Sequence, residues 1–190
     1  MRSPSAPAVV ALAIAAMSLT ACLPKAMRLN PLDPQMARMS AAVAIPNSYA
    51  LASGDVVMTL AFRPDDASAP IVETFPLEIV RSNLRPGLQP GRDEAVFVGK
   101  LAGNDVARFE ATQARIRSRR AATTGKGSFS ISVKGLCAAA GTPVKDLPVR
   151  TFVTASGDSF SPLAAHRNLF DALNAEQRAA LKSQIRRCAA

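Results

Sequence analysis

Ser159 and His166 are the residues here whose types could make an activated nucleophile, and His166 is the single histidine of the 190-residue chain. A serine hydroxyl is activated by an imidazole within hydrogen-bond reach and an acid behind it, so the chain can build at most one such unit. Gly157-Asp158-Ser159-Phe160 brings a serine and an acid in a turn-forming run, and a turn followed by a surface histidine is the simpler account. Thr124-Gly125-Lys126-Gly127-Ser128 has the lysine and glycines that end a phosphate loop. It lacks the upstream glycine and joins a helix to a strand, the reverse of what such a loop needs. Asp65-Asp66 is an isolated pair in a proline-bounded loop, where acids usually make turns. These residues call for no metal and no cofactor. With no Trp and one Tyr, Tyr49, stacking on sugars or bases is not expected either.

Arginine supplies the most prominent exposed chemistry. Arg108, Arg115 and Arg119 fall on one helical face with Arg120 beside them, and Arg186-Arg187 lies near the end of the chain. Guanidinium groups so grouped could bind an anion or dock an acidic partner, while two solvated helix ends are the plainer alternative. The chain as a whole carries 23 Lys and Arg against 14 Asp and Glu, a formal charge of +9. Gly157-Asp158-Ser159 superficially resembles the GDS block of one esterase family. That family places the block early in its domain and draws Asp and His from a late Asp-x-x-His motif, which is absent here.

The N-terminus states an address. Arg2 is followed by an apolar run from Ala8 to Ala21 that ends in Leu19-Thr20-Ala21-Cys22. At about fourteen residues it is short of the roughly 20 needed to span a bilayer, and it has the three parts of a secretory signal. It resembles the lipobox of bacterial lipoproteins. The resemblance implies a signal peptide over 1–21, lipid on the Cys22 thiol including palmitate, and cleavage before it. Leu23 after that cysteine is permissive for transfer to the outer membrane, facing the periplasm.

Once Cys22 is assigned to lipid, Cys137 and Cys188 remain as an even pair, expected to form a disulfide in an oxidising compartment. The accessible partners of an exported basic domain are the bilayer itself, an envelope protein, anionic glycolipid and peptidoglycan carboxylates, and not nucleic acid. Residues 22–40, with Pro24, Pro31 and Pro34, read as a tether, although Met36 and Met39 are unusually apolar for one and suggest that part folds back. Residues 41–190 read as a single globular domain.

The elements that position these groups follow from periodicity. Alternation predicts strands over 56–63 and 71–80, with Pro76 arguing for an edge position in the second. Further strands are expected at 42–46, 94–101, 128–134 and 147–155, while 159–167 reads equally as an extended arm or a short helix. The stretch 81–93 reads as a long surface loop, and so as the working surface if the chain were a small envelope hydrolase or enzyme inhibitor. An amphipathic helix is predicted from an Asn104 cap to about Arg120, with Gln113 on its apolar stripe needing a hydrogen-bond partner. Asn174-Ala175-Glu176-Gln177 is a capping-box sequence, so a terminal helix should follow, with Leu181, Ile185 and Cys188 on its inner face. The expected fold is α+β: a mainly antiparallel sheet or small β-sandwich of about six strands with one packed amphipathic helix between strands and a C-terminal helix. The expected function is a non-catalytic, membrane-anchored envelope lipoprotein that binds a partner.

Overall fold

Alternating apolar residues need a second layer to bury them; here an α-helix, the segment before the first strand and a small second sheet close one face of a curled main sheet, and a loop covers part of the other. The computed structural model describes residues 30–66, 68–81, 86–155 and 159–188. Its described elements run β1 (Ser40–Pro46), β2 (Tyr49–Ala50), β3 (Val56–Pro64), β4 (Ile71–Arg81), β5 (Glu94–Leu101), α1 (Gly103–Ala122), β6 (Gly125–Val133), β7 (Leu136–Ala138), β8 (Val149–Thr154), β9 (Ser161–His166), α2 (Ala175–Ser183) and β10 (Ile185–Arg187). Seven strands form an antiparallel sheet in the order β6-β3-β4-β5-β1-β8-β9, curled into a half-barrel. A second, three-stranded sheet has the order β10-β7-β2. The fold is therefore α+β with a mainly antiparallel sheet. The strands beyond those expected are the three of the small sheet, too short to show a period, and β9, which settles the open 159–167 stretch as extended.

On the inner face Met58, Leu60 and Phe62 of β3 join Ile71, Phe75 and Leu77 of β4, and α1 closes over them with Phe109 and Ile116. Phe75 and Phe109 meet edge to face at 5.2 Å and 70°. The other face has a second buried cluster around β1, β5 and β8. There Leu88 and Phe160 cover Ala42, Ala44, Val96 and Phe152. Gly87 has φ +82°, and a Cβ on it would collide with the Phe160 carbonyl oxygen, so a glycine is required where this loop crosses.

Three expectations are corrected. Pro76 lies in an interior strand, between β3 and β5. The Leu77 carbonyl accepts from Gly54 N–H on the β3 side at 3.0 Å, so alternation turns the Pro76 nitrogen toward β5. β5 has already ended at Leu101, the partner of Leu77, and no ladder bond is lost. Helix α1 is capped at Ala102, not Asn104, because the chain turns straight out of β5; Asp105 stays in the first turn. The terminal helix keeps its capping box, with Asn174 Oδ1 accepting from Gln177 N–H at 2.8 Å and Gln177 Oε1 from Asn174 N–H at 3.1 Å. It ends at Ser183, however, and Cys188 does not ride on it. Ile185–Arg187 instead pair in parallel with β7, because a ladder satisfies their backbone and delivers Cys188 to Cys137.

Finally, the packed body reaches back into the expected tether. Met36 and Met39 are fully buried, and residues 34–38 form a 3₁₀ turn. Buried Gln113 donates from Nε2 to the Pro31 and Asp33 carbonyls at 2.8 and 2.9 Å, which is the partner its place on the apolar stripe required.

Candidate functional site

The order of the strands decides what the candidate side chains can do. Ser159 lies two residues before β9 and His166 is its last residue, so the strand's extended backbone, about 16 Å from Ser161 to His166, runs between them. They cannot share a hydrogen bond. Gly157 and Asp158 lie outside the described residues, as does Cys22. Thr124–Ser128 runs directly into the β6 ladder, with Gly125 opposite Pro64, and forms no nest of amides. Asp66 Oδ1 accepts from the Ser68 hydroxyl at 2.6 Å and its N–H at 3.1 Å, a closed turn. The Ser68 hydroxyl, then its N–H, with help from Thr123 and the Arg119 charge, hold the Asp66 carboxyl below its ordinary value against a small desolvation cost. Among the described residues no three His, Cys, Asp or Glu are grouped to hold a metal.

The four arginines are brought onto α1, where three are engaged by the protein. Arg108 stacks over the Phe75 ring at 4.2 Å and pairs with Asp105 and Glu73 at 3.0 and 3.2 Å. Arg115 takes the other oxygen of Glu73 at 3.1 Å, so one carboxylate serves two guanidinium groups. Arg119 donates to Ser68 Oγ at 2.6 Å. Arg120 has no ion-pair partner among the described residues and stands at the rim of a groove lined by Pro31, Leu32, Ile116, Gly127 and Phe129. Exposed pairs of this kind contribute little to stability, and they leave the face net positive. Arg186 is also spent: its Nη2 meets both oxygens of buried Asp55 at 2.7 and 2.6 Å.

The loop after β4 is a cover over residues 86–91. Leu88 is buried, Phe160 N–H donates to the Pro86 carbonyl at 3.0 Å, and Arg150 donates to the Gln89 carbonyl at 2.9 Å. Arg150 also pairs with Glu94, which accepts from Gly91 N–H at 2.6 Å. Burial pushes the Glu94 carboxyl up, but its hydrogen bonds from Arg150 and Gly91 and the Arg150 charge outweigh that and hold it low.

Sequence reasoning missed a backbone feature. Among the described residues β6 is the last strand of the sheet and pairs with β3 alone. The alternation of Phe129, Ile131 and Val133 with serines identifies a half-buried strand, but whether a ninth-residue-long ladder has one neighbour or two is not written in its own residues. No protein-family model matches the chain, and neither does any curated protein or solved structure.

Proposed function

We propose that this chain is an exported, lipid-anchored protein of the bacterial envelope, held on the outer membrane facing the periplasm, that acts by binding a partner protein or an anionic envelope component. The observation that carries the reading is the pairing of Cys137 with Cys188, whose sulfurs are 2.07 Å apart across a sequence separation of 51. It leaves Cys22, at the end of the apolar N-terminal run, as the one cysteine outside that pair, and a paired cysteine suits an oxidising compartment. Because Pro31 is already tied to Gln113 of α1, the chain from Cys22 can reach at most about 32 Å, so the domain would sit close to the bilayer. The separation of Ser159 from His166 favours binding over hydrolysis, and the packed 86–91 cover weighs against a working surface there.

The test is Cys22→Ser in cells fed labelled palmitate. Loss of label and of membrane fractionation is expected; continued labelling overturns the anchor. Non-reducing peptide mapping of the same protein should recover Cys137 joined to Cys188, and two alkylatable thiols there would remove the observation on which the reading stands.

A further inference from the structure

We infer that β6 is a docking edge for an acidic, extended polypeptide segment, which adds to the sheet as an eighth strand. The inference rests on the reading that the chain acts by binding, and not on the lipid anchor. Lys134 N–H donates to the Asp55 carbonyl at 2.7 Å, and the Thr124 carbonyl accepts from Asp65 N–H at 3.0 Å, so even-numbered residues of this stretch turn their backbone groups toward β3. By alternation Gly125, Gly127, Phe129, Ile131 and Val133 turn theirs outward. Among the described residues nothing pairs with them. A row of outward amides and carbonyls is the template that β-augmentation uses.

The side chains define the occupant. Phe129, Ile131 and Val133 are half-buried on the α1 side, and the surface continues from Phe129 into the groove formed with Pro31, Leu32 and Ile116. Ser128, Ser130 and Ser132 lie on the opposite side, bracketed by Lys126 and Lys134, with Arg120 at the groove. A second copy is disfavoured in the registers that would use the whole of β6. Antiparallel pairing centred on Ser130 would set Lys126 against Lys134 of the other copy at both ends, and in-register parallel pairing would set each lysine against itself, with like charges opposed in either case. A segment with carboxylates at its two ends, about 27 Å apart, converts both repulsions into attractions. Between them it needs apolar residues toward α1 and small polar ones over the serines.

The probe is a blocked nonapeptide, Glu-Val-Thr-Val-Thr-Val-Thr-Val-Glu, compared with the same peptide carrying Lys at both ends, titrated against the full chain in detergent. The Glu-ended peptide should bind at least about tenfold more tightly. Gly127→Pro removes an outward N–H but no β3 ladder bond and no side chain, and should weaken that binding about tenfold with circular dichroism unchanged. The double variant Lys126→Glu/Lys134→Glu should reverse the preference between peptides, an outcome independent of how well the proline variant folds. Equal binding of the two peptides, binding untouched by Gly127→Pro, or binding of neither overturns the assignment. Palmitate labelling of the same preparations keeps the readings apart: a labelled protein that ignores both peptides defeats the docking edge alone, and an unlabelled one that takes the acidic peptide defeats the anchor alone.

Discussion

At one end of the seven-stranded sheet β9 carries Pro162, a register shift opposite Thr151 and Phe152, and a loop packed over the face of its neighbour; at the other end β6 offers nine residues with no proline and no shift. Both are edges, yet one is blunted by backbone chemistry and the other only by lysines at its ends. A proline and a bulge turn away every strand alike, whereas a charge turns away some and draws others. An edge guarded by charge is thus selective, and the comparison singles out β6 as the place where sequence-specific recognition can act.

The largest effect expected of a change that tests this contrast comes from proline on the two sides of β6. Ser130→Pro strikes an N–H that faces β3 and should destabilise by about 3 kcal/mol or more, while Gly127→Pro should cost under about 1 kcal/mol in denaturant unfolding. Equal costs would mean that β6 has ladder partners on both sides, and the comparison would collapse. Next in size is the cover near β9. Gly87→Ala places a methyl against the Phe160 carbonyl at a positive φ, and should cost about 2 kcal/mol and speed proteolysis within residues 86–91. An unperturbed protease pattern would show that the cover does not depend on that turn.

The smallest effect is in pH. Glu94 has its carboxyl lowered in the folded state, so its contribution is fully present above the unfolded value of about 4.3 and is lost as pH falls through the lower folded value. Stability of the wild type should therefore drop more steeply than that of Glu94→Gln between about pH 4.5 and pH 3, measured by urea unfolding. Parallel curves would take the Arg150–Glu94 tie out of the account of how the β9 end is held.

Much of the fold was legible because its signals are local. The alternation from Val56 to Phe62 and in Phe129-Ser130-Ile131 names strands, the Phe109 and Ile116 spacing names a helix, and Asn174 with Gln177 names a cap. Of the candidate chemistry, the arginines were found but not the carboxylates that occupy them: Glu73 lies on a strand 35 residues from Arg108, and Asp55 lies 131 from Arg186. Nothing in a residue's own neighbourhood reports a partner at that remove.

By itself the sequence determined the identity of most elements, the excess of positive charge, the even pair Cys137 and Cys188, and the lipobox-like run ending at Cys22, since each is set by composition or by contacts a few residues apart. Only the tertiary structure decided that Pro76 sits where β5 has run out, that Cys188 follows a strand instead of riding on a helix, that Ser159 and His166 are held apart, and that among the described residues β6 has one neighbour. The reason is common to all four. A backbone hydrogen bond across a sheet is made between residues whose sequence separation is arbitrary, so which donors are satisfied, and which are left to meet another chain, is fixed by the assembled order of strands.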